Sequence, residues 1–135
     1  MNTGPLKVLV CDSNEAMHRI IADLLRREGI ELQFAASATQ LAETLAVWLP
    51  DVCLLDIGFP EGCVGIDMLA VLKGREQTKL LPVVMLTGND LASNILLAYR
   101  HGCSGYFVKP LVIIQFEDTL RTIIRYWKLS KKAKE

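Results

Sequence analysis

Four polar residues stand directly after short apolar runs in this chain: Asp12, Asp56, Thr87 and Lys109. The runs before them are Leu6–Cys11, Asp51–Leu55 (apolar from Val52 on), Leu81–Leu86 and Gly105–Val108. Two carboxylates, a hydroxyl and an ammonium form a coherent chemical set if the fold brings them together. Close carboxylates repel unless a cation or a proton lies between them. A few hard oxygen ligands completed by water suit magnesium. A carboxylate beside that metal can attack phosphorus and form an acyl phosphate. The metal and a lysine would offset charge on the transferring group, and a threonine hydroxyl can donate to a phosphoryl oxygen.

Each residue has a plainer reading. Asp12 could cap a helix, but Ser13 and Asn14 are already there to do so. Asp56 has little use as a cap, because the Gly/Pro-rich loop Ile57 to Gly65 follows it. Thr87 alone is an ordinary strand end, and Lys109 alone a solvated lysine. Their common position after apolar runs favours chemistry over caps.

The elements that must position them follow from periodicity. Leu6–Cys11 reads as a buried strand. Met17, Ile20, Ile21, Leu24 and Leu25 lie at helical spacing behind it, and Gly29 is the expected stop. Glu31 to Ala36 reads as the second strand. Ser37, with Gln40 three residues on, makes a capping box for a helix whose buried face is Leu41, Leu45, Trp48 and Leu49 and which Pro50 ends. Asp51–Leu55 is the third strand, Ile66 to Lys73 a short helix and Leu81–Leu86 the fourth strand. Asn89 or Asp90 caps a helix running to about His101, and Gly102 terminates it. Gly105–Val108 is the fifth strand, and Ile113 to Trp127 the last helix, apolar on one stripe.

Strands alternating with helices predict an α/β fold, a parallel sheet with helices on both faces. Nearly continuous apolar strands agree with burial on both sides. In such doubly wound folds ligands bind beyond the carboxyl ends of the strands, where the four polar residues fall.

The 135 residues suit one domain. A hydrophobic fraction of 51% and a charged fraction of 22% describe a globular chain. Fifteen basic residues against fifteen acidic ones argue against wholesale binding to nucleic acid or an anionic membrane. No apolar run approaches the ~18 residues of a membrane span, and the start is too short and polar for a signal peptide, so a cytoplasmic location is expected. Cys11, Cys53, Cys63 and Cys103 form no CxxC pair and are expected to be free thiols. Cys11, beside carboxylates that raise its pKa, is expected to be a buried structural thiol. His18 and His101 are expected on the surface, Met68 and Met85 in the core.

The segments Val8-Leu9-Val10-Cys11-Asp12, Pro50-Asp51-Val52-Cys53-Leu54-Leu55-Asp56, Pro82-Val83-Val84-Met85-Leu86-Thr87-Gly88 and Gly105-Tyr106-Phe107-Val108-Lys109-Pro110 together resemble the receiver domains of two-component response regulators. The resemblance covers about Leu6 to Trp127. It implies a flavodoxin-like five-stranded sheet in order 2-1-3-4-5. It implies that Asp56 is the phosphoacceptor, that Asp12 and Asp56 ligate Mg2+, and that Gly58 offers the metal its backbone carbonyl. Thr87 would be the switch hydroxyl and Lys109 a phosphoryl contact, with a cis bond to Pro110. Tyr106 matches the aromatic switch position, although a half-buried packing role suits a strand tyrosine equally. The implied partner is a sensor histidine kinase or phosphotransfer protein. The implied activity is limited to the chain's own phosphorylation and dephosphorylation, and no metabolic reaction is expected. The end Ile123-Ile124-Arg125-Tyr126-Trp127 is similar to stand-alone receivers paired with bacterial phytochrome kinases. A homodimer through helix four, strand five and helix five would use such a surface. On this reading residues 1–5 are an N-terminal extension, 6–128 the receiver domain and 129–135 a charged tail.

Two departures stand out. The family places an acidic pair at the end of strand one, where this chain has Cys11-Asp12, and a thiol is a poor magnesium ligand. The glycine after Pro60 comes at Gly65, one residue later than in the common pattern. The first departure supports an alternative, a pseudo-receiver that binds proteins without phosphorylation. A flavodoxin-like electron carrier would need a Ser/Thr/Gly phosphate loop after strand one, and Asp12-Ser13-Asn14-Glu15-Ala16 has no glycine. Direct nucleic-acid binding is not expected, because no helix-turn-helix follows the receiver segment.

Overall fold

The computed structural model describes residues 6–25, 30–56, 59, 65–87, 92–108, 118, 122 and 125. Five parallel strands form one sheet in order β2-β1-β3-β4-β5. They are β1 (Leu6–Cys11), β2 (Ile30–Ala35), β3 (Val52–Asp56), β4 (Val83–Thr87) and β5 (Gly105–Val108). The helices between them are α1 (Glu15–Leu24), α2 (Ala38–Val47), α3 (Gly65–Lys73) and α4 (Ala92–Arg100). Fold class, strand order and the element sequence through β5 are those expected.

Side chains that alternate along the strands build two cores. Leu9, Cys11, Cys53, Leu55, Val83 and Met85 face Leu41 and Leu45 of α2, Leu69 and Leu72 of α3 and Ala98 of α4. Val8, Val10, Val52, Leu54, Val84 and Leu86 face Ile21 and the α1 cap residue Leu25. Burying each large aliphatic chain stabilises the fold by roughly 1.5–3 kcal/mol before entropy is set against it. Met85 is fully buried and Met68 packs against the first core, as expected.

Several boundaries and faces differ from expectation, each for a local reason. β3 starts at Val52 because Asp51 is engaged elsewhere: its N–H donates to Lys7 O at 2.8 Å, and its Oδ2 accepts from Lys7 N at 2.9 Å. β3 runs on through Asp56, whose backbone pairs with Leu86. β4 begins at Val83 because Leu81 closes the preceding turn on Thr78 O, and Pro82 has no N–H to give. β2 ends at Ala35 because the next N–H, of Ala36, donates to Gln40 Oε1 at 2.8 Å. That bond completes the cap of α2, with Ser37 Oγ accepting from Gln40 N at 3.2 Å. α2 ends at Val47, so Leu49 lies beyond the helix and is exposed. Ile20 is likewise exposed rather than part of the α1 core face. α1 ends at Leu24 with Leu25 as cap, short of the expected Gly29, which lies outside the described residues.

α4 ends as expected. Gly102 adopts φ +95°, its N–H donates to Tyr99 O at 3.0 Å, and Cys103 N donates to Ala98 O at 3.1 Å. This is a Schellman stop, which needs the left-handed conformation glycine adopts freely. Of the expected last helix, Asp118, Thr122 and Arg125 are described; all three are helical and exposed, and Thr122 Oγ1 donates to Asp118 O. The aromatic end at Tyr126 and Trp127 lies outside the described residues.

Candidate functional site

The carboxyl ends of β1 and β3 are neighbours. Cys11 pairs with Leu55, so the next residue on each strand path is Asp12 beside Asp56. Asp56 pairs with Leu86, which places Thr87 one step further along β4, and Thr87 pairs with Val108, the last residue before Lys109. Parallel pairing thus carries Asp12, Asp56 and Thr87 to one edge of the sheet, where β5 also ends at Val108. The Thr87 side chain, Gly58 and Lys109 lie outside the described residues.

Asp12 is 2% exposed, an unusual burial for a carboxylate. Its N–H still donates to Ala35 O at 3.1 Å, continuing the β1–β2 ladder by one bond. Its Oδ1 accepts from Asn14 N at 2.9 Å, an Asx turn that bends the chain off the sheet. Helix capping falls to Asn14, whose Oδ1 accepts from Ala16 N at 2.9 Å. The competing reading of Asp12 as a cap is therefore answered by its neighbour.

Asp56 ends β3 and is half-buried. Its carbonyl accepts from Phe59 N at 3.0 Å, and the Phe59 side chain is fully buried, which anchors the start of the following loop. Tyr106 is half-buried, pairs with Met85 and packs against the core that α2, α3 and α4 cover.

Cys11 points the other way. It is fully buried in the core under α2 and α3, with its Sγ 3.7 Å from Cys53 Sγ. The hydrogen bond with Cys53 and burial, with a smaller contribution from the Asp12 charge, push its thiol well above the ordinary range. It is a neutral structural thiol, as expected. Cys53 and Cys103 are free as well, and Cys63 lies outside the described residues.

His18, expected on the surface, is instead half-buried beside the end of β1. Its ring stacks on Phe34 of β2 at 4.8 Å between centroids and 20° between planes. Its Nε2 contacts the backbone carbonyl oxygen of Asp12. One sequence signal was available: His18 lies four residues after the Asn14 cap, where a side chain reaches back toward the residues that precede a helix. His101 is exposed, as expected.

The donor set fits a hard divalent cation more than a soft one. It offers carboxylate oxygens from Asp12 and Asp56, while the nearby thiol is neutral and turned into the core. Among the described residues no group of three His, Cys, Asp or Glu side chains gathers as a metal site, so water and backbone oxygens would have to complete the shell.

A doubly wound parallel sheet in this strand order, with two aspartates beyond its central strands, is an arrangement found in signalling receiver domains. The response regulator receiver domain model matches residues 8–121, and the chain belongs to that family. Chemotaxis protein CheY-3 of Vibrio cholerae is 32% identical over 125 residues, which cover 87% of this chain and 91% of that protein. The DNA-binding response regulator MtrA of Mycobacterium tuberculosis is 30% identical over 110 residues, covering 82% of this chain and 46% of MtrA. Among solved structures, a putative response regulator from Chloroflexus aurantiacus aligns with a TM-score of 0.81 at 25% identity, over 90% of this chain and 98% of that one. The receiver domain of a Pseudomonas aeruginosa sensor histidine kinase, with a magnesium ion coordinated in its active site cleft, aligns with a TM-score of 0.77 at 21% identity and shows the shared fold, over 90% of this chain and 98% of that one. Among the described residues no helix is long and apolar enough to cross a membrane.

Proposed function

We infer that the chain is a phosphorylation switch in which Asp56 accepts a phosphoryl group from a sensor histidine kinase or phosphotransfer protein. The observation that carries this reading is the buried Asp12 carboxylate held next to Asp56 at the strand edge. In the transfer, an Asp56 carboxylate oxygen forms the new O–P bond, the N–P bond of the donor phosphohistidine breaks, and the imidazole leaves. Asp12, Asp56 and the Gly58 carbonyl would hold Mg2+. When bound, that ion offsets the negative charge of the incoming phosphoryl group.

Lys109 would contact a phosphoryl oxygen, and Thr87 would donate to another as the switch hydroxyl. Tyr106, packed from β5 against the core that α2, α3 and α4 cover, would change position with it. The output is a two-state shift of the face made by α4, β5 and the last helix, which binds a partner or a second copy. Residues 6–128 form the receiver domain, with 1–5 as an extension and 129–135 as a charged tail. The chain works in the cytoplasm, catalyses only its own phosphorylation and dephosphorylation, and does not bind nucleic acid directly.

Cys11 favours one rival, the phosphorylation-independent pseudo-receiver, because its side chain takes one oxygen ligand away from the end of β1. Beryllofluoride, which mimics a bound phosphoryl group, separates the two. With magnesium present, backbone amide resonances of Asp12, Asp56, Thr87 and Tyr106 should shift saturably in the wild type and stay put in Asp56→Asn. A wild type that ignores beryllofluoride at millimolar magnesium would establish the rival.

A further inference from the structure

Several contacts among the described residues hold Asp12. Ala35 O holds its N–H at 3.1 Å, Asn14 N holds its Oδ1 at 2.9 Å, and His18 Nε2 meets its carbonyl oxygen. The first is a ladder bond to β2, and the second is a turn that the Asp12 side chain closes on a backbone N–H two residues on. The third comes from a side chain, and nothing in the capping of α1 requires it, because Asn14 already performs that task.

We propose that His18 is a positioning residue for Asp12, holding the end of β1 so that the Asp12 carboxylate meets a divalent cation in a fixed place. The inference rests on the reading of Asp12 as a metal ligand. A carbonyl oxygen only accepts, so Nε2 carries the proton in this bond. The stack on Phe34 fixes the plane of the ring, and Phe34 is itself fixed in register opposite Val10. The imidazole therefore ties three elements together: α1, which carries it, β2, which orients it, and the strand end it holds. Cys11 faces the opposite core, so β1 presents a single carboxylate and its placement is shared with no neighbour on that strand. A ligand locked by its supporting contacts loses less freedom on binding a metal.

The test is a magnesium titration of the full chain followed by backbone amide NMR, with no phosphodonor present. Two variants split the contact. His18→Phe keeps a ring to stack on Phe34 and loses the bond. His18→Gln keeps an N–H donor at a similar reach and loses the stack. The half-saturating magnesium concentration at the Asp12 and Asn14 amides should rise about three- to tenfold in His18→Phe, the worth of one hydrogen bond. It should return to within about twofold of wild type in His18→Gln. Urea midpoints of both variants show that the folded state is the one titrated. Equal half-saturation in wild type and His18→Phe overturns the inference and leaves the metal reading standing. Equal weakening in both variants also overturns it, because the bond would not be the operative contact. A wild type without saturable response removes the metal reading and this inference with it.

Discussion

Replacing Asp12 with Asn separates its two duties. The amide oxygen of Asn can still accept from Asn14 N at about the present 2.9 Å, so the Asx turn survives. What disappears is a negative charge, 2% exposed, beside that of Asp56. Neighbouring strands lie about 4.8 Å apart, so the repulsion is worked at a nominal separation of roughly 6 Å. Repulsion at that distance is about 0.7 kcal/mol in water and about 2.8 kcal/mol at an effective dielectric constant of 20. Asp56 is half-buried, so the working figure is about 1 kcal/mol. Without metal, relief of this repulsion alone should add up to about 1 kcal/mol to the urea stability of Asp12→Asn. Magnesium should reverse the order. At ten times its dissociation constant it stabilises wild type by about 1.4 kcal/mol, and the variant by a small fraction of that. The assay is urea denaturation followed by tryptophan fluorescence, in EDTA and in magnesium. A magnesium gain in Asp12→Asn equal to that of wild type would refute the reasoning, because the Asp12 charge would then take no part in holding the cation.

Other consequences follow from the same structure. Gly102→Ala places a side chain at φ +95°, with its Cβ in ordinary contact with the Lys73 stem at 3.5 to 3.6 Å. The backbone alone should cost about 1–2 kcal/mol, read as a lower urea midpoint with unchanged slope. Ser37→Ala removes the hydroxyl that accepts from Gln40 N and should cost about 1 kcal/mol, measured the same way. Burial pushes the Cys103 thiol from 9.0 up to about 11, so the folded state keeps a proton that the unfolded chain releases. The stability this contributes is whole below pH 9.0 and is lost as pH rises toward about 11. Cys103→Ala should flatten the alkaline decline in a series of urea midpoints by about 1 kcal/mol. Lys73, which burial lowers from 10.5, pulls in the opposite direction and is left in place by that variant.

The sheet and the strand-end carboxylates were legible because both rest on strong signals. Apolar runs such as Val52–Leu55 read as buried strands wherever they occur, and Asp56 after one of them has few structural uses. The Gly102 stop and the Ser37 box were legible because a single residue type determines the local geometry. Boundaries slipped where a side chain competed with the ladder, as Asp51 does for Lys7 and Gln40 for the Ala36 N–H. Helical spacing overstated the core at Ile20, since periodicity marks a face without saying how wide the covering surface is. Leu49 was lost to the core because α2 ended before it. The role of His18 depends on Phe34, sixteen positions away in sequence and brought close by the pairing of β1 with β2. No local pattern reports such a contact. The direction of the Cys11 side chain was decided by strand alternation, which turns Leu9, Cys11, Cys53 and Leu55 to the same core.

The most direct test of the account is formation of the acyl phosphate itself. The chain is incubated with acetyl phosphate, with and without magnesium, and weighed intact by mass spectrometry beside Asp56→Asn. The account predicts a magnesium-dependent gain of one phosphoryl group in wild type and none in the variant. An equal gain in Asp56→Asn, or none in wild type at saturating phosphodonor and magnesium, would contradict it.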